Sequence, residues 1–197
     1  MPSSPSTAPT EDHQFRLGHL AAFLRESKLI QDTWSVYSDE QTDIDGVPYD
    51  EHDYALRQDR RHAETWRAFE QVRYSGETLL ATAEHQLQQL PSHKIQARWV
   101  WELGTLHTAL EQLRTLQSEW VEFRDSLPAS AGPGTEQYDD LLADRNADAW
   151  SSLDDWTTHG QSILDIHVAA RQAPSLLTTS APVRVPAPAT RTGTVRR

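Results

Sequence analysis

Three histidines offer this sequence its best prospect of metal chemistry: His19, His107 and His159. A neutral imidazole is a common metal ligand, and its proton comes and goes near physiological pH. Each of the three stands within three residues of a glycine (Gly18, Gly104 and Gly160), and Gly76 makes a fourth. With long helices running antiparallel, all four glycines fall at a similar height, and Arg73 and Trp156 lie alongside. A glycine inside a helix costs about 1 kcal/mol relative to alanine, so four at one level need a physical reason. One reason is close approach of neighbouring helices, and this is the expected one. The alternative is a cavity edged by His19, His107 and His159 as metal ligands, with Arg73 and Trp156 in the same pocket.

Other constellations fail on spacing. A di-iron carboxylate bundle needs Glu-x-x-His pairs, and none occurs; His-x-x-x-His, the helical two-histidine zinc pair, is absent too. The nearest fragment, Asp59-Arg-Arg-His62, reads as a solvated, charged helix face. Residues 39–53 hold many acids and no Lys or Arg, and Asp43-Ile-Asp-Gly46 echoes part of a calcium loop. The loop pattern needs acids at positions 1 and 12, where this chain has Gln41 and His52. Acids near a helix N-terminus are favoured by the helix dipole in any case. No Gly-rich phosphate loop and no Gly-x-Ser-x-Gly elbow is present.

The elements that would carry these residues are helices. Leu20, Phe23, Ser27, Ile30, Trp34 and Tyr37 recur at spacings of three or four, one helical face. They predict a first helix over about 11–39, with Thr10 as its cap. Asp43-Ile-Asp-Gly-Val-Pro48 reads as a turn, and Asp50 as the cap of a second helix over 51–89 that Pro91 stops. Trp99, Leu103, Leu106, Leu110 and Leu113 head the cleanest stripe, on a third helix over 93–126 capped by Ser92. After Pro128–Gly134, Thr135 opens a fourth, over 135–172, with Leu153, Trp156 and Ile163 on its face. Short connections force neighbouring helices antiparallel. The fold expected is all-α: an antiparallel four-helix up-down bundle over 11–173, roughly 45–55 Å long at 1.5 Å per residue. A coiled-coil dimer using the same stripes is the rival. Trp34, Tyr37, Tyr54, Trp66, Trp120, Tyr138 and Trp150 gather in the half nearest the 40–49 and 128–134 turns. That half reads as core filled by large rings, with a ligand pocket as the alternative.

Residues 1–10 are rich in Ser, Pro and Thr, and 174–197 in Pro, Thr and Arg; both are expected to be disordered. The net charge of the chain is −11. The four arginines are the only charged residues after Pro174, so the remainder carries −15. Such a body is not expected to bind nucleic acid through its general surface, or anionic membranes. The chain has no cysteine, which excludes disulfides, thiolate metal sites and a cysteine nucleophile. Neither a leader peptide nor an apolar run long enough to span a bilayer is evident, and a cytoplasmic location is expected.

Strong helical patterning without catalytic spacing points to a non-catalytic interaction protein: a scaffold, adaptor or regulatory subunit with a protein partner, a homodimer included, and no cofactor. Two alternatives belong to other classes. One is a helical enzyme binding a metal or small molecule in the His/Gly layer. The other is an acidic inhibitor that imitates nucleic acid.

Overall fold

The computed structural model describes the backbone of residues 8–128 and 130–173, with side chains from residue 11. Among these residues there are six α-helices and no strand: α1 (Ala8–Gln41), α2 (Glu51–Gln89), α3 (Ala97–Ser126), α4 (Glu136–Asp148), α5 (Trp150–His159) and α6 (Gln161–Gln172). The all-α class expected from periodicity is thus the observed one. The expected disorder of 1–7 and 174–197 lies outside the described residues. The backbone of Ala8–Thr10 is helical, so α1 starts before the expected Thr10 cap.

The first connection forms as its composition requires. Asp43 Oδ1 accepts from the backbone N–H of Asp45 and of Val47, both at 2.9 Å. Gly46 sits at φ +78°, a left-handed conformation that side chains disfavour. The Asp43 carboxylate therefore closes its own turn. Asp50 caps α2 as expected, its Oδ1 accepting from Asp53 N at 3.0 Å.

Two boundaries differ from expectation. A 3-10 turn over Ser92–Lys94 and extended backbone at Ile95 and Gln96 precede α3, so Ser92 does not cap that helix. The single helix expected over 135–172 is three helices, interrupted at Ala149 (φ −74°, ψ −15°) and Gly160 (φ −60°, ψ −24°). At the second break the Ser162 hydroxyl donates to the His159 carbonyl at 2.7 Å. Hydroxyl bonding back to a helix carbonyl competes with the backbone ladder and bends it.

The core is one continuous cluster. Leu17, Leu20 and Phe23 of α1 meet Phe69, Val72, Leu79 and Leu80 of α2, then Leu103, Leu106 and Leu113 of α3, and Leu153, Trp156, Ile163 and Ile166 of α5 and α6. Each such side chain, fully buried, contributes about 1.5–3 kcal/mol relative to exposure. The α2 helix touches each of the other five α-helices, and α1 packs most extensively along it. Cross-helix pairs mark the registers: Phe23 against Phe69 and Trp34 against Tyr54, Arg114 with Glu77 and His107 with Glu84, Arg145 with Gln117 and Ser152 with Gln112.

Candidate functional site

The three histidines singled out from the sequence do not form one site. His19 packs edge-on against Phe15 of its own helix, ring centroids 4.2 Å apart. His107 Nε2 pairs with Glu84 Oε1 at 3.0 Å. The His159 ring abuts Trp101 at 4.8 Å, with Nδ1 4.0 Å from Glu102 Oε1. Among the described residues no three His, Asp or Glu side chains group closely enough to hold a metal ion.

The glycine layer divides into two kinds. A Cβ on Gly76 would meet the two Leu110 δ-carbons at 3.1 and 3.2 Å and the Trp156 ring at 3.5 Å. One on Gly160 would meet the Trp156 carbonyl at 2.5 Å and Leu24 at 3.1 Å. These two glycines permit close packing. Gly18 and Gly104 face space that is open to at least 4 Å. Trp156 is 0% exposed and edge-on to Phe69 at 5.3 Å, so it is core and not a pocket wall. Arg73 is tied to Glu70 at 3.1 Å and to the Tyr74 hydroxyl at 2.6 Å, on α2 itself. Arg73 and Trp156 thus have different immediate partners.

The aromatic half is where the structure departs most from the sequence reading. It is a set of aromatic rings with arginines inserted between them. Arg61, from α2, lies between Trp34 of α1 and Trp150 of α5, its Cζ 4.2 Å and 3.9 Å from the two ring centroids. Arg57 lies 5.5 Å from the Tyr37 ring, and Tyr54 fixes that edge through a 2.8 Å hydrogen bond with Ser38 Oγ. One layer on, Arg145 of α4 stacks 3.9 Å from Trp66 and 5.8 Å from Trp120, and its Nη1 donates to Gln117 Oε1 at 2.9 Å. Burial pushes the Arg145 guanidinium down to about 10, so it stays charged at neutral pH. A cation on an aromatic face gains about 0.5–1 kcal/mol when exposed and about 2 when desolvated.

The fragment Asp59-Arg-Arg-His62 is therefore not simply a solvated face. His62 is 3% exposed, with its ring 4.9 Å from that of Trp150. Arg61 Nη2 lies 3.0 Å from His62 Nε2. A guanidinium can only donate, so His62 Nε2 accepts and its proton sits on Nδ1, which is buried with no partner. Burial first, and the adjacent Arg61 charge second, push the His62 imidazole down to about 4. It is neutral at physiological pH and serves as a wall for the Arg61 stack.

The Arg61 stack opens onto a groove of about 160 Å³ between α1 and α2. Leu29, Ile30, Thr33 and Trp34 form one wall; Arg57, Arg60, Arg61 and Glu64 form the other. Leu29 is 67% exposed, and Val36 and Leu56 stand exposed on the same two helices. Among the described residues, none of the three arginines has a carboxylate within 4.0 Å, although the body around them carries a large excess of acid. An apolar wall facing unneutralised guanidiniums can bind an acidic, amphipathic surface. Held between two indoles, Arg61 has lost much of the rotamer freedom that a flexible side chain gives up on binding.

The available signal was that Trp34 on α1 and Arg61 on α2 stand about two to three helical turns from either end of the 42–50 turn, about one turn apart in height. No family model matches the chain, and no curated protein or solved structure matches it either.

Proposed function

We propose that this chain is a non-catalytic interaction protein, and that its partner is a protein presenting an acidic, amphipathic segment to the α1/α2 groove. The observation that carries the reading is the trio Arg57, Arg60 and Arg61, which share a groove with Glu64 yet form no direct ion pair among the described residues, in a chain of net charge −11. Three guanidiniums against one groove carboxylate, none of them in a direct ion pair, leave net positive charge on a partly apolar face that an external acid can match. Stacking on Trp34 and Trp150 holds Arg61 in place for it.

The six helices make an antiparallel four-column bundle in this reading, with α4, α5 and α6 as one interrupted column. The cross-helix pairs support it: between consecutive columns, a step forward along one helix is matched by a step back along the other. A rigid bundle presents a groove at little cost in ordering. No described helix is long and apolar enough to cross a membrane, and we place the chain in the cytoplasm.

The test is affinity capture from the native cell with the full chain and with Arg57→Glu/Arg60→Glu, which reverses the charges of half-buried Arg57 and exposed Arg60 and leaves the Arg61 stack in place. The partner should be retained by the parent chain, lost from the variant, and released by moderate salt, while both proteins melt at the same temperature. A partner held equally by both would refute the assignment of the groove.

A further inference from the structure

A second polar site lies at the far end of the molecule, where the start of α1 meets α6 and the last turns of α2. His13 of α1 and His167 of α6 stand with ring centroids 5.1 Å apart, their planes inclined by 63°. Two glutamines bracket His167: Gln14 Nε2 lies 3.0 Å from its Nε2 and Gln86 Nε2 lies 3.3 Å from its Nδ1. A neutral imidazole has one donor and one acceptor, and an amide can turn to offer either. The glutamine bracket can therefore serve His167 whether it is neutral or protonated. His13 Nε2 is buried and has no partner.

Two open grooves meet at this pair and share Gln14, His167 and Arg171. One, of about 650 Å³, runs between α1 and α6 over Gly18, where a Cβ would meet nothing within 4 Å. The other, of about 720 Å³, is walled by Thr78, Thr82 and Gln86 of α2. Both are large enough for a small ligand. The polar lining consists almost entirely of hydrogen-bond donors or groups able to donate. Its single carboxylate, Asp12, is already paired with Arg16. Arg171 has no carboxylate partner among the described residues.

We propose that this α1/α2/α6 groove binds a small oxyanion, a carboxylate or a phosphate, held by Arg171 and His13 with Thr78 and Gln86 as neutral donors, and attracted by the charge of His167 when that ring, bracketed by Gln14 and Gln86, is protonated. The charged and titratable groups facing it are Asp12, His13 and Arg16 from α1 and His167 and Arg171 from α6; α2 contributes only neutral groups. Burial lowers the pKa of both imidazoles, with the opposite ring and Arg16 adding to it at His13 and Arg171 at His167. An anion between them opposes that depression. Binding therefore takes up protons and strengthens as pH falls through the histidine range. This site is independent of the α1/α2 groove, and either assignment can fail without the other.

The test follows the histidine ring resonances of the full chain by NMR while inorganic phosphate or succinate is added, at about pH 6 and about pH 8. His13 and His167 should shift selectively, their pKa values should rise with ligand, and binding should be tighter at the lower pH. Succinate, ionised over most of this range, gives the cleaner pH dependence. A response to succinate alone identifies a carboxylate ligand, and a response to phosphate alone identifies a phosphate. Arg171→Met should weaken binding about tenfold or more, the equivalent of one charge-assisted hydrogen bond. His167→Gln should reduce the pH dependence, and His13→Gln/His167→Gln should abolish it, while the helical circular dichroism is retained. No selective shift with either anion at the lower pH would overturn the proposal, as would shifts that survive both substitutions unchanged.

Discussion

Replacing Gly104 and Gly76 by alanine, one at a time, should move stability in opposite directions although the chemical change is identical. Each glycine lies inside a long helix, so each substitution gains about 1 kcal/mol of helix propensity. At Gly104 the new methyl meets nothing within 4 Å, and that gain stands alone. At Gly76 the methyl meets the Leu110 δ-carbons at 3.1 and 3.2 Å and the Trp156 ring at 3.5 Å. Leu110 is 2% exposed and Trp156 is 0% exposed, so neither has free space to retreat into. Overpacking of a filled core costs about 1–3 kcal/mol. The Gly76→Ala variant should therefore be destabilised by up to about 2 kcal/mol, and the two variants should differ by about 1–3 kcal/mol. Urea unfolding followed by circular dichroism measures both, with the midpoint moving and the slope unchanged. Equal stabilisation by the two substitutions would show that the Gly76 contact is soft. Destabilisation at Gly104 would refute the assignment of open space there.

Three further outcomes are expected. His62 has its pKa lowered from 6.5 to about 4 in the folded protein. The unfolded chain therefore binds the proton first as pH falls, and stability should decline from about pH 6.5 towards pH 4, by up to about 3 kcal/mol from this group. Equilibrium unfolding at several pH values should show a shallower acid loss in His62→Gln, and an identical pH profile would contradict the buried neutral imidazole. Arg61→Met should cost about 2 kcal/mol by removing a cation stacked on Trp34 and Trp150. It should also alter tryptophan fluorescence; unchanged emission and stability would mean that the stack is not populated. Leu110→Ala should cost about 2–5 kcal/mol in the same unfolding assay, and a near-neutral result would place the α3 stripe outside the core.

The sequence by itself determined the helical class, the 40–49 turn, the Asp50 cap and the bounds of α2, because these depend on residues close together in the chain. Alternation every three or four positions, an Asx turn with a left-handed glycine and a side chain reaching three residues on are all local physics. The breaks at Ala149 and Gly160 were not legible in that way. Alanine is the best helix former, so nothing at Ala149 announces an interruption. The space at Gly160 is set by Leu20 and Leu24 of α1 and by the Trp156 carbonyl. The candidate site was hidden for the same reason. Asp59-Arg-Arg-His62 reads as a solvated charged run until Trp34 and Trp150, from two other helices, close over Arg61 and His62. Water exclusion by those rings and the adjacent guanidinium both lower the His62 pKa. Helix spacing also gave His19, His107 and His159 similar heights but not their facing directions. A rotation of about 100° per residue decides which neighbour each ring meets, and tertiary packing gave each a different one.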